Sequence, residues 1–452
     1  MKTFMVRTLA LALVFMMATV AVAFAEPNTE LSGTLRILGP GLFTQMGPDG
    51  KVDLVSGQTL PGYNALIEEF NEDYPNVKVE VNAIPWDNWI AVMQTAAAGG
   101  TADVLLHGAM LAELSVDLTE YLEKDPEVYE ALAIKPELYR PDADNYNVVA
   151  PTGLSYKVAP YFVLVDTKLF EDFGVELPTD DWTYDDMLEI AQKLTGVNPV
   201  TGEECYGAWA YGISGSYKFL SSICSAWGVK GMVFDSPNKY DAKMQFDTEE
   251  MTRVLSYINE FYKCAPPSFI EDVGVDKIGT AENNIALYIT ENPLEKYQVT
   301  VANGTEDRYI YMPLPITETT DESTYSGFTG TNSIAISKTA SDPDLAWEFL
   351  KWMILDEDAN DWVLATGNLP ATFYGMSKLD ETKPYTECIR KVLDNFWPNF
   401  TVTQCEGYDS AYGNAETILE NAMTGLMSGM YTPETCGEYI QQQLVEYQML
   451  NK

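Results

Sequence analysis

Apolar residues along the chain switch repeatedly between two periods. In "NVKVEVNAI", Val77, Val79 and Val81 alternate with Lys78, Glu80 and Asn82, the period of two that lays one face of a strand on a core. "GTLRILG", from Gly33 to Gly39, reads as an earlier strand, and residues 40–62, polar and rich in glycine, as an insertion after it. Leu66, Ile67, Phe70 and Tyr74 then recur at helical spacing until Pro75 stops the run. A second helix, opened by Asp87 or Asn88, is expected to bury Trp89, Val92, Met93 and Ala96 and to end in left-handed backbone at Gly99. "ADVLL" then begins a third strand. Strand, helix, strand, helix, strand predicts an open α/β lobe, and ligands of such sheets sit outside the carboxyl ends of the strands.

A second α/β pattern begins at Lys157. Tyr161 to Val165 is a nearly continuous apolar run of the buried-strand type. A helix with Met187, Leu188, Ala191 and Leu194 inward follows, then the helical stretch 247–264 and the strand "NIALYIT". "TNSIAISKTASDPDLAWEFLKWMI" predicts strand, turn and helix: Asp342 caps, Pro343 takes the first helical position, and Ala346, Phe349, Leu350 and Met353 form the inner stripe. Gly367 closes a further short helix, and the chain from Lys383 onward reads as helical. At 452 residues the chain exceeds what one core usually supports, so two lobes are expected.

Composition refines this picture. Hydrophobic residues make up 46% and aromatics 12%, which excludes a disordered chain. The first 25 residues carry Lys2 and Arg7, an apolar run from Leu9, and Ala23-Phe24-Ala25, the pattern of a cleaved signal peptide. Export is therefore expected, the alternative being an uncleaved membrane anchor. No cysteine follows the run, so no lipid attachment point of the bacterial lipoprotein kind is present. The formal charge is −40, and loss of Lys2 and Arg7 takes it to −42, which repels nucleic acid and anionic lipid. Six cysteines, Cys205, Cys224, Cys264, Cys388, Cys405 and Cys436, leave both disulfides and buried thiols open. With no C-x-x-C and a single histidine, a zinc site is not expected.

Four segments carry a resemblance. "NEDYPNVKVEVNAIPWDNWIAVMQTAAAGGTADVLL", "KVAPYFVLVDTKLFEDFGVELPTDDWTYDDMLEIAQKLT", "TNSIAISKTASDPDLAWEFLKWMI" with "TGNLPAT", and "LENAMTGLMSGMYTPETCGEYIQQQL" resemble, in order, blocks of the maltose-type carbohydrate-binding proteins of ABC importers. Two departures stand out. Ala102 precedes Asp103 where the family usually has proline, and "ENPL" places Leu294 where many sugar binders have an aromatic. The resemblance implies an α/β, two-lobed periplasmic-binding-protein-like fold of type II, with hinge crossovers and a helical C-terminal region. The expected segments are 1–25 as signal peptide, 26–157 and 329–375 as one lobe, and 158–328 and 376–452 as the other.

A sugar site needs aromatic platforms and planar polar groups. Candidates at strand ends and at the implied crossovers are Trp86, His107, Tyr161, Glu291, Asn292, Phe328 and Thr329, and Tyr217 and Trp227 flank an expected helix in a segment that resembles the family's ligand loop. Tyr408 and Tyr412 stand where the family presents aromatics. Catalytic motifs are missing: "GISGS" is not G-x-S-x-G, and no H-E-x-x-H, P-loop or G-x-G-x-x-G occurs. The expectation is an exported, monomeric, non-enzymatic binding protein, without cofactor or metal, periplasmic or extracellular. It would capture a carbohydrate, an oligosaccharide above all, and hand it to membrane permease subunits of an ABC transporter. The alternatives are a polyamine or other small-cation binder of the same fold, and a secreted carbohydrate-active enzyme or adhesin.

Overall fold

The computed structural model describes residues 27–52, 57, 59–108, 111, 114–133, 151–210, 216–233, 243–266, 277–318, 329–394 and 415–451. In chain order the strands are β1 (Gly33–Gly39), β2 (Lys51–Val52), β3 (Thr59–Leu60), β4 (Val77–Ala83), β5 (Val104–Leu106), β6 (Leu154–Asp166) and β7 (Gly196–Val197). They continue as β8 (Glu204–Ala210), β9 (Met232–Val233), β10 (Lys243–Met244), β11 (Ile285–Glu291), β12 (Tyr309–Pro313), β13 (Thr329–Ile336) and β14 (Leu369–Pro370). The main sheet runs β4-β1-β5-β13-β6-β11-β8-β7, and β12 and β14 also pair with β6. The pairs β1/β4, β1/β5 and β8/β11 are parallel, and every pair made by β6 is antiparallel.

One strand serves both ends of this sheet. All thirteen residues of β6 are buried. Its first half, Leu154 to Pro160, lies against β13 and β14, and its second, Tyr161 to Asp166, against β11 and β12. Pro160 marks the changeover and, lacking an N–H, gives no ladder bond there. Separate cores flank the two halves. Leu35, Ile37, Phe43, Phe70, Trp347 and Phe349 lie in one; Phe162, Tyr184, Phe219, Phe246 and Phe261 lie in the other, which Leu369 and Ala371 already join. The fold is two-lobed α/β, with helices Pro384–Asp394, Ala415–Met427 and Pro433–Asn451 ending the chain.

A buried carboxylate held by an arginine fastens each half. Asp103 accepts from Arg36 Nε and Nη2 at 2.8 Å each, from the Arg36 backbone N–H, and from the N–H and hydroxyl of Ser341. Burial alone would raise this carboxyl, but those donors outweigh it and hold it down at about 2. In the other half Asp166 accepts from Arg308 Nε at 2.8 Å and from Asn283, and it caps the helix Thr167–Phe173.

Several local expectations need correction. Val92 is 41% exposed, and Ala97 rather than Ala96 is buried with Trp89 and Met93. Gly99 keeps helical backbone; Gly100, at φ 62, takes the left-handed position, and Thr101 N–H bonds back to the Ala96 carbonyl. Asn88 precedes this helix without a side-chain cap bond. The insertion 40–62 contains a helix, Leu42–Met46, whose Leu42, Phe43 and Met46 enter the core. By contrast Asp342 caps its helix with Pro343 in the first turn, and all four residues of the stripe there are buried. Cys205, Cys224, Cys264, Cys388 and Cys436 are buried free thiols, while Cys405 lies outside the described residues. Among the described residues no helix is long and apolar enough to cross a membrane, and no cluster of metal-ligating side chains occurs.

Candidate functional site

Three non-glycine residues among those described have left-handed backbone: Asn88 (φ 55), His107 (φ 59) and Asn292 (φ 59). Each follows a strand of the sheet, β4, β5 and β11 respectively, in the position where an α/β sheet presents a ligand. Strained backbone of this sort persists only where its surroundings hold it, and it gathers at functional sites.

The side chains converge as the backbone suggests. His107 is 5% exposed, and its ring lies edge-on to Trp86 with centroids 4.8 Å apart; Trp86 itself is 46% exposed. Trp89, buried, completes the aromatic corner 5.7 Å from Trp86. Neither imidazole nitrogen has a well-aligned hydrogen-bond partner. Burial, with Lys157 and Lys218 nearby, pushes the His107 pKa down to about 3, although Asn332 is close enough to pull the other way. Gly41 permits this approach, since a Cβ there would lie 2.9 Å from Asn332 Oδ1 and 3.0 Å from His107 Nε2.

Strand register brings the rest. On β6, Lys157 faces Asn332 of β13 on one side and Pro370 of β14 on the other. Four residues on, Tyr161 faces Glu291 of β11. Lys218, in the helix Ser216–Trp227, donates to the Tyr161 hydroxyl at 2.9 Å. Burial alone would raise the Glu291 carboxyl, yet Lys218 and Lys157 together with the Tyr161 hydroxyl carry it below its ordinary value. Burial lowers the Lys157 ammonium against the pull of Glu291 and Glu295. Glu295 and Lys296 pair with each other at 3.5 Å.

Trp86, His107, Tyr161 and Glu291 thus belong to one connected group, and Asn292 adjoins it in strained backbone. Trp227 does not. Its indole N–H donates to Glu318 at 2.9 Å, the Arg253 guanidinium lies 3.9 Å over its ring, and it stands nine residues, about 13 Å of helix, from Lys218. Thr329 opens β13 opposite Pro160. Tyr217 lies in the helix with Lys218, its side chain outside the described residues; Phe328, Tyr408 and Tyr412 lie outside them altogether. Sequence reading passed over Lys157, Lys218 and Asn332. The signal was there for Lys157, a cation shortly before the apolar run Tyr161–Val165 of a strand that is buried throughout.

Comparison with known proteins identifies the family and the fold. Residues 56–360 match the family described as bacterial extracellular solute-binding protein. Similar solved structures include an ABC substrate-binding protein from Listeria monocytogenes in complex with cycloalternan, at TM-score 0.64 and 18% identity over 93% of this chain and 100% of that one. An ABC transporter solute-binding protein from Agrobacterium radiobacter in complex with ribitol has TM-score 0.67 and 16% identity over 93% and 99%. A maltose-bound MalE3 protein from T. maritima has TM-score 0.66 and 16% identity over 92% and 99%. At such identities these likenesses show the fold. No curated protein matches the sequence. The family match spans most of the chain, and the protein belongs to the bacterial extracellular solute-binding proteins.

Proposed function

We propose that this chain is the exported, ligand-capturing component of an ABC importer and that its solute is a carbohydrate, held between the lobes and passed unchanged to membrane permease subunits. The observation that carries the reading is the group at the junction of the two sheet halves, where half-exposed Trp86 stands beside buried His107, with buried Lys157 and Tyr161 and partly buried Asn332 and Glu291 on the strands next to it. An aromatic face next to hydrogen-bonding groups withdrawn from water suits a sugar ring and its hydroxyls. The similar structures with cycloalternan, ribitol and maltose support the same ligand class. Closure would turn about the β6 changeover at Pro160.

The charges speak against the polyamine alternative. A polycation needs several converging carboxylates, whereas Glu291 here is already drawn on by two lysines. The same lysines keep Glu291 ionised, which unsuits it as the general acid of a glycosidase. Thermal-shift screening of the mature chain against oligosaccharides, polyols and polyamines tests the reading. A saccharide should raise the midpoint by several degrees, and Trp86→Ala should weaken that saccharide by about tenfold. Stabilisation by spermidine alone, or release of monosaccharide from the bound oligomer, would overturn it.

A further inference from the structure

His107 is 5% exposed, and among the described residues neither of its ring nitrogens has an aligned hydrogen-bond partner. A buried imidazole in that position forfeits the bonds it would make with water. The two edges of the ring differ. A Cβ on Gly41 would lie 3.0 Å from Nε2, 3.3 Å from Cδ2 and 2.9 Å from Asn332 Oδ1, so Nε2 and the Asn332 oxygen border the same point. The Leu42 N–H, donating to Asn332 Oδ1 at 3.2 Å, fixes which end of that amide stands there. An oxygen beside Nε2 calls for the ring proton on Nε2, and Nδ1, on the side of the ring away from Gly41, is left as a bare acceptor.

Resting on the carbohydrate reading above, we infer that His107 determines specificity: the solute is a neutral saccharide or polyol that donates an unsubstituted hydroxyl to Nδ1, while Nε2 gives its hydrogen to Asn332 as the lobes close. Other solute groups suit this edge less well. A carboxylate, a sulfate or an ether oxygen has no hydrogen to donate. An ammonium would join Lys157 and Lys218, whose charges already oppose positive charge on this ring. Of the two indoles against the imidazole, Trp89 is buried and Trp86 half exposed, so the solute arrives on the Trp86 side and stacks there while its hydroxyl turns inward.

Because the chain has one histidine, isotope labelling of histidine nitrogen makes every imidazole signal that of His107. The test is nitrogen NMR of the labelled mature chain, titrated with glucose, maltotriose and ribitol, and with glucosamine and glucuronate. A neutral member should bind at least about tenfold more tightly than either charged one. In its complex the proton should sit on Nε2, and the Nδ1 signal should move as that of a nitrogen accepting a hydrogen bond. His107→Ala should weaken that ligand by about 30-fold. His107→Asn, which keeps an acceptor near the place of Nδ1 and accepts left-handed backbone, should stay within about threefold of the parent. If His107→Ala does not fold, the spectrum of the parent decides. A saccharide that binds and leaves the imidazole signals unmoved, or binds with the proton on Nδ1, overturns this inference and leaves the carbohydrate reading standing, as does tighter binding of glucosamine or glucuronate. A panel in which no saccharide binds overturns both.

Discussion

His107 is the sole histidine of the chain, and its place in the fold lowers its pKa to about 3 and so favours the neutral ring. The cause is burial, reinforced by two ammonium groups. Unfolding returns the ring to an ordinary pKa near 6.5, so between that value and about 3 the unfolded chain binds a proton that the folded chain refuses. Stability must then drop as the solution is acidified through this window, by about 1.4 kcal/mol per pH unit, the slope of one proton. His107→Gln removes the group from both states. Urea titrations from pH 7 down to 4 should show the parent losing stability relative to the variant with that slope; a constant difference would mean the ring takes up protons freely in the folded state. Asn88 and Asn292 tolerate left-handed backbone through their short polar side chains, and histidine is another of the few side chains found there. The conformation of His107 is held by its N–H bond to Ser333 at 2.6 Å.

At the level of elements, what could be read from sequence was what nearest neighbours in the chain decide. Asp342-Pro343 opens a helix because a side-chain acceptor and a fixed φ act within one turn. Gly99-Gly100 shows the limit: two adjacent glycines are equally able to end a helix, and the bond from Thr101 to Ala96 selects the second. The start of β6 was missed for a related reason. Ser155, Tyr156 and Lys157 do not look like core, and only pairing with β13 and β14 buries them. Of the site, the groups next to turns and aromatics were legible; Lys157, Lys218 and Asn332 gain their meaning from register across strands far apart in sequence. Helix-on-sheet packing also hangs on residues that sequence leaves mute. Gly207 in β8 lies so close to the helix Tyr184–Lys193 that a Cβ would stand 1.7 Å from the Ala191 carbonyl oxygen. Gly207→Ala should therefore cost at least about 3 kcal/mol, because helix and strand must separate. Gly202→Ala, strained in backbone but with open space around it, should cost about 1 kcal/mol. Equal losses in chemical denaturation would refute the packing argument.

For the molecule as a whole, an excess of forty acidic charges opposes the compact state at every distance that salt leaves unscreened. Raising sodium chloride from about 0.01 M to about 1 M shortens the screening length from about 30 Å to about 3 Å. The thermal midpoint should climb by several degrees across that range, and a midpoint that falls would show that surface ion pairs outweigh the repulsion. No disulfide ties the described lobes together, since their five cysteines are separate buried thiols. What joins them most intimately is β6, and it has a consequence for selectivity. Lys157 and Tyr161 stand on either side of Pro160, each fixed to a different half of the sheet. A few degrees of twist at that proline alter the gap between the Lys157 ammonium and the Glu291 carboxylate. In the closure proposed above, the strand would act as a caliper, reading the width of the solute in the same motion that brings the lobes together.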